Sequence, residues 1–367
     1  MNATLQGLYS VPDFCSDIMT QEALWSLEAE TCLLLQRNIG ELCKTRQGQC
    51  ASKDKKQLLR LIKSSLAVYN EEYHDRSQQD AHEFLMLLFM GLKMEGEAMA
   101  TSPGYICPTA KFEFKLQCVR TCASCGDKVF QEEEHNNLSL NLSPFLEDSL
   151  RFFFEASELE CTCGKCLGRQ ATVRRSFLTL PRVLVLHMKR FCYSGGQMRR
   201  LGDAVAIPPV LSLTSSNKEP VSHTASVDEL ESSGDTQTSQ LGASVSNYHL
   251  CGVVSHLGRS IDCGHYISDI MEGDSRDWLT LNDAITTKTD EATVLEERQD
   301  TAYILFYVLG STWSRVPLDL CGGIPFSARK GFSWHHLTQG RPLTGHYISD
   351  IMEGNSRDWL TLNDKNR

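Results

Sequence analysis

Two Cys-x-x-Cys turns, Cys122 with Cys125 and Cys163 with Cys166, are separated by 37 residues. Four thiolates at the ends of two tight turns are the ligand set of a tetrahedral zinc site. Such a site clamps segments that are remote in the chain onto one point, and no other local pattern here restricts the fold as much. The gap exceeds that of a compact zinc ribbon, so the spacing predicts finger-like hairpins joined at their tips. Gly126 and Gly164 ease the two turns. Cys161 competes with Cys163 for a ligand position, and four reduced, unmetallated cysteines are the plainer alternative.

Around these turns the hydrophobic period changes. Residues 21–39 carry Leu24, Leu27, Cys32, Leu34 and Leu35 at roughly helical spacing, and residues 56–69 repeat the pattern with Leu58, Leu59, Leu61, Ile62 and Leu66. A third helix follows Ser77, which with Asp80 resembles a capping box, and Ala81, Phe84, Leu85 and Leu88 form its apolar face. From about Lys111 the period is two: Phe112, Phe114 and Leu116 alternate with polar residues, as do Leu138, Leu140 and Leu142. Residues 183–188, 248–256 and 301–308 read as further strands. Helices first and strands afterwards predict an α+β fold and not a doubly wound sheet.

The chain of 367 residues is 41% hydrophobic and 22% charged, the balance of a globular protein. Its longest apolar runs, residues 85–90 and 303–309, are too short to span a bilayer. Fifteen cysteines behind a start that lacks a basic, apolar leader point to a reducing compartment, cytoplasm or nucleus, and to metal or thiol chemistry. The net charge of −10 argues against nucleic acid and fits a basic protein partner. Residues 215–246 are rich in Ser, Thr, Glu, Asp and Gly, a composition that predicts a disordered insertion. Residues 310–367 have no clear period.

A second motif concerns chemistry. Residues 264–283 recur almost unchanged at 345–364, Asp274 against Asn355 being the one difference. Within the first copy, His265 and Asn282 or Asp283 lie on what read as two short strands joined by a polar turn. An imidazole oriented by a carboxamide or carboxylate is two-thirds of a nucleophile-activating triad. The second copy lacks the strand that follows the first, so it is expected to build no second site. Asp80 and Glu83, spaced i and i+3, project together near a helix start, where acidic residues also simply complement the helix dipole. His82 and His187 sit on apolar stretches and read as core histidines.

Taken together, these segments resemble one family, the ubiquitin-specific proteases, which are papain-like cysteine deubiquitinases. The resemblance is carried by MNATLQGLYSVPDF at the start, QQDAHEF at 78–84, both knuckles, LPRVLVLHMKRF at 180–191, YHLCGVVSHLG at 248–258, GHYIS at 264–268, LTLND at 279–283 and AYILFYV at 302–308. They occur in family order over residues 1–309. The resemblance implies a papain-like fold with a helical thumb (1–105), a zinc-tipped fingers region (106–180) and a palm (181–309). It implies ubiquitin and ubiquitinated proteins as partners, a structural zinc on Cys122, Cys125, Cys163 and Cys166, and no organic cofactor. Asp80 and Glu83 would face the arginines of the ubiquitin tail. His265 would be the general base and Asn282 its orienting residue, with Asp283 adjacent and sharing that role as an alternative.

One family element has no counterpart. The family's nucleophilic Cys lies two residues before the Met-Asn with which this sequence begins, in a segment reading roughly Asn-Thr-Cys-Tyr-Met-Asn. Cys15 is expected several turns along the first helix, where the dipole no longer lowers a thiol pKa. The expectation is thiol-dependent hydrolysis at the ubiquitin C-terminal glycine as the family activity, with the sequence as written inactive. The alternatives are a ubiquitin-binding pseudoenzyme and a non-productive truncated gene product.

Overall fold

The change of hydrophobic period marks the seam between a helical layer and two sheets. The computed structural model describes residues 1–27, 33–46, 52–74, 79–99, 102–194, 197–214, 245–258, 264–272 and 277–310. Helices α1 (Asn2–Leu8), α2 (Pro12–Met19), α3 (Glu22–Leu27), α4 (Leu34–Arg46), α5 (Ser52–Ala67) and α6 (Ala81–Ala98) come first. The following segment runs β1 (Phe114–Cys122), β2 (Lys128–His135), β3 (Leu138–Leu140), α7 (Leu146–Phe154), β4 (Ser157–Glu160) and β5 (Gln170–Phe177). Then come β6 (Val183–Met188), β7 (Phe191–Ser194), β8 (Gln197–Arg200), β9 (Val210–Thr214), β10 (Val245–Leu257), β11 (His265–Glu272), β12 (Asp277–Asn282), β13 (Ile285–Thr289), α8 (Glu291–Glu297) and β14 (Ala302–Leu309). The architecture is α+β, as the period change predicts.

Several local expectations are corrected. The apolar stretch at 21–39 is not one helix. It yields α3 and then a new start at α4, where Glu95 of α6 accepts the N–H groups of Leu35 and Gln36 at 2.6 and 3.0 Å. A tertiary cap thus supplies what the local sequence lacks. The opening segment also breaks: α1 ends at Leu8 and α2 restarts at Pro12, a residue suited to a first helical position because it needs no N–H partner. Cys15 therefore lies in the second helix, with its Sγ 3.9 Å from that of Cys43, and not several turns along the first. The cap of α6 is Asp80, whose Oδ1 accepts the N–H groups of His82 and Glu83, so the capping pair is Asp80 with Glu83. Ser77 lies outside the described residues. Phe112 belongs to a 3₁₀ turn before β1, and Leu142 lies beyond β3. Leu61 is exposed although its spacing puts it with the apolar set of α5. Val245 and Ser246 open β10, while 215–244, like 311–367, lies outside the described residues.

The strands form a four-stranded antiparallel sheet, β2-β1-β5-β4, an eight-stranded sheet, β13-β12-β11-β10-β14-β6-β3, with β9 also paired to β10, and a two-stranded hairpin, β7-β8. In the large sheet only β3 runs parallel to its neighbour, β6. The Leu, Val and Ile runs of β6, β10 and β14 are buried on both faces, which is why they read as continuous apolar segments and not as alternation. α1 lies against β10, β11, β12 and α6, with Leu5 and Leu8 buried. α6 buries Phe84, Leu85, Leu88, Phe89 and Leu92. Beneath β11, Asp269 is fully buried and accepts Arg298 Nε at 2.7 Å and Thr280 Oγ1 at 2.6 Å, tying α8 to β11 and β12. Arg190, also fully buried, donates to the carbonyls of Ala302, Asp203 and Gln299, so its charge is met by backbone dipoles. No described helix is long and apolar enough to cross a membrane.

Candidate active site and cysteine cluster

His265 opens β11 and Asn282 closes β12, two strands paired from Ser268 with Leu281 outward. Continuing that register sets Asn282 opposite Ile267, on the same face as His265. The result is a 2.7 Å contact between His265 Nε2 and Asn282 Oδ1. A carboxamide oxygen only accepts, so this contact assigns the proton to Nε2 and leaves the basic lone pair of the neutral ring on Nδ1. Asp283 follows in the two-residue turn to β13 and takes a left-handed conformation, φ 53°. Its Oδ2 stands 3.9 Å from the same Nε2, so it adds field while Asn282 makes the hydrogen bond. Gly264 leaves room for His256: a Cβ there would fall 2.1 Å from its Nε2, so any larger residue would force a shift just before His265.

Asp80 arrives from the helical layer. Its Oδ2 accepts the hydroxyls of Tyr266, the residue after His265, at 2.9 Å and of Tyr303 in β14 at 2.8 Å. Burial and then the Asp80 charge raise the pKa of both phenols far above the usual value, so they remain donors. Glu83 is exposed on the first turn of α6, and partial burial followed by repulsion from Asp80 and Glu72 raises its pKa. Met1, the N-cap of α1, lies in the fields of Asp80 and Asp283, so the N-terminal end of α1 is at this site.

Tyr266 and Tyr303 were not singled out in the sequence. The available signal is a tyrosine inside an apolar strand, whose hydroxyl must find a partner when buried. His82 and His187 are half-buried, not core residues, and form a pair: their rings stack at 3.8 Å and 9°. His82 Nε2 meets Asn137 Oδ1 at 3.1 Å, and His187 Nδ1 meets Ser139 Oγ at 2.9 Å.

The four knuckle cysteines converge elsewhere, at the tip of the smaller sheet. Their Sγ atoms all lie within 4.8 Å of one another, with Cys122 to Cys166 at 3.6 Å and Cys125 to Cys163 at 3.8 Å. The two turns share one design. Gly126 N–H donates to Cys122 O and Leu167 N–H to Cys163 O, both at 2.9 Å. The residue after each second cysteine is left-handed, Gly126 at φ 71° and Leu167 at φ 60°. Leu167, and not Gly164, is therefore the counterpart of Gly126. Backbone N–H groups of Cys125 and Ser124 point at Cys122 and lower its pKa, while at Cys125 the opposing N–H of Asp127 is outweighed and the neighbouring thiols raise the pKa. Cys161 is not part of the cluster.

Residues 1–307 match the family model described as Ubiquitin carboxyl-terminal hydrolase, and the chain belongs to that family. It is similar to Ubiquitin carboxyl-terminal hydrolase 37 of Sus scrofa, 34% identical over an alignment of 244 residues that covers 59% of this chain and 25% of the relative. It is also similar to Ubiquitin carboxyl-terminal hydrolase 29 of Homo sapiens, 30% identical over 269 residues, 63% of this chain and 29% of the relative. The matched region thus spans about a quarter of the length of these curated relatives. The fold is shared with the SAGA Ubp8/Sgf11/Sus1/Sgf73 DUB module bound to ubiquitin aldehyde, with a TM-score of 0.69 at 23% identity, covering 84% of this chain and 67% of that one. The same module bound to monoubiquitin gives a TM-score of 0.67 at 24% identity, with 84% and 66% covered.

The histidine stack predicts acid sensitivity. Burial lowers the pKa of His82, and burial followed by His82 pushes that of His187 down to about 3. The unfolded chain protonates both near 6.5, whereas the folded chain keeps them neutral. Their contribution to stability is complete above pH 6.5 and is lost as pH falls, at up to ~1.4 kcal/mol per pH unit for each proton taken up. Urea unfolding between pH 7 and 5 should show this loss, and His187→Gln should flatten it. An unchanged pH slope in that variant would show that the stack does not titrate with unfolding.

Proposed function

We propose that this chain forms the base, tail-binding cleft and structural metal knuckle of a thiol-dependent ubiquitin hydrolase that cuts the bond after the C-terminal glycine of ubiquitin. The observation that carries this reading is the 2.7 Å contact between His265 Nε2 and Asn282 Oδ1 in a chain of this family. Asn282 holds the ring so that Nδ1 is the base. Nδ1 takes the proton of a thiol, the thiolate attacks the scissile carbonyl, and the oxyanion collapses as Nδ1–H protonates the leaving amine. Water activated by the same nitrogen then hydrolyses the thioester. The thiol is the one the family carries two residues ahead of the position matched by Met1, which would enter from the N-terminal end of α1. The free thiols of such an enzyme suit the cytoplasm or nucleus.

A chain carrying Asn-Thr-Cys-Tyr ahead of Met1 should hydrolyse a ubiquitin–fluorophore amide. His265→Ala should lower its turnover about 10³-fold, within the usual range for general acid–base groups, while His346→Ala leaves it unchanged. Equal losses from the two substitutions would refute the assignment of His265 as the base.

Zinc is the metal that fits the cysteine cluster. Four sulfurs at about 2.3 Å from one ion stand about 3.8 Å apart, close to the spacings within the cluster. Cys122, Cys125, Cys163 and Cys166 would hold it and it would serve folding, joining β1 to the turn before β5. Protein purified without added metal should contain close to one zinc per chain by elemental analysis, and Cys125→Ser should lower that value and loosen residues 110–170 in hydrogen exchange. A folded, metal-free preparation would overturn this.

Glu83, the more exposed carboxylate of the pair, would face the arginines of the ubiquitin tail, with Asp80 beside it held by donors of this chain. Ubiquitin binding measured by calorimetry should weaken with added salt. Glu83→Ala should weaken it by ~1 kcal/mol, roughly fivefold. A folded, monodisperse sample giving no heat would sink the ubiquitin reading.

A further inference from the structure

Asp80 joins two layers of the molecule through a single carboxylate. Oδ1 accepts the N–H groups of His82 at 2.8 Å and Glu83 at 3.0 Å, both in the first turn of α6. Oδ2 accepts the hydroxyls of Tyr266 and Tyr303, which stand on β11 and β14. A carboxylate offers about four lone-pair directions, and donors of this chain fill that number. The two strands flank β10 on opposite sides, so one oxygen bridges the sheet across its central strand.

The phenol rings have little room to drift. Their centroids lie 5.9 Å apart. His256 meets Tyr266 edge-on at 4.8 Å, and His187 meets Tyr303 edge-on at 4.8 Å. Tyr266 follows His265 directly in the chain, so a rotation of β11 that released the phenol would also tilt the imidazole away from Asn282. Loss of the bond at Oδ2 therefore reaches the base through one peptide unit.

We propose that Asp80, Tyr266 and Tyr303 form a latch between α6 and the large sheet that holds His265 in line with Asn282, and that the two tyrosines are positioning residues for the base. The latch deepens the hydrolase reading and depends on it only for the chemistry that His265 performs. It gives Asp80 a role distinct from that of Glu83, which shares the same helical turn but is exposed.

The test is the ¹⁵N spectrum of the His265 ring in the protein as it stands, compared with Tyr266→Phe, Tyr303→Phe and the double variant. Tyr307→Phe serves as control, because its hydroxyl donates to Pro208 O at 2.6 Å elsewhere in the same sheet. The native ring should show the single Nε2–H tautomer. The double variant should lose that pattern and average between tautomers, with a smaller change in each single variant. The control should destabilise the fold and leave the His265 pattern intact. An unchanged His265 ring in the folded double variant would overturn the latch, as would an equal change in the control. Should the double variant fail to fold, the gentler Tyr266→Phe decides by the same criterion. Absence of ubiquitin binding by the native chain would sink the hydrolase reading instead, with the ring spectra still deciding the latch.

Discussion

β10 is buried continuously from Leu250 to His256, and the strands that carry the site are registered against it. A slip of one residue on either side would turn buried side chains to the opposite face, so the pairing has one acceptable solution. In that solution His256 opposes Tyr266 and Leu257 opposes His265. Tyr303 is brought in from the other side by β14, next to a bulge between Val254 and Ser255. The positions of the base, its neighbour and the second phenol follow from packing against one strand.

Charge is used sparingly at the seam between helices and sheet. His82, His187 and His256 are all held neutral by burial, and the phenols of Tyr266 and Tyr303 stay protonated. Asp80 is the carboxylate among them, and its oxygens accept from the N–H groups of a helix start and from two hydroxyls. Such an arrangement lets the carboxylate sit half-buried in the seam because each of its oxygens is met by donors. The same logic holds beneath β11, where Arg298 and Thr280 satisfy Asp269. The half-buried Asp80 and the fully buried Asp269 both serve the strand that begins with His265.

The cysteine cluster solves a different problem. The four-stranded sheet is small, and β2 and β4 are largely exposed, so burial offers little to hold its far end. A metal would supply that hold through bonds that need no apolar area. The left-handed residue after each second cysteine shows how tightly the turns are specified. Leu167 adopts this conformation although a leucine does so at a steric cost.

Much was legible in the sequence. The knuckles, the histidine with its carboxamide, the period change and the apolar strands are local patterns, and the chain's own spacing dictates them. The sequence could also mark Asp80 and Glu83 as a pair. Other features depended on segments distant in the chain. That 21–39 breaks follows from Glu95, some sixty positions on, capping α4. That Leu167 replaces Gly164 as the left-handed residue follows from two turns closing on one cluster. That Asn282, with Asp283 beside it, makes the hydrogen bond follows from the hairpin turn, which carries Asp283 past the ring. And Asp80 meets two phenols because β11 and β14 share β10 as a neighbour. Periodicity records which face a residue occupies; only the closed sheet decides which residues share that face, because hydrogen bonds between strands act at distances the linear chain does not encode.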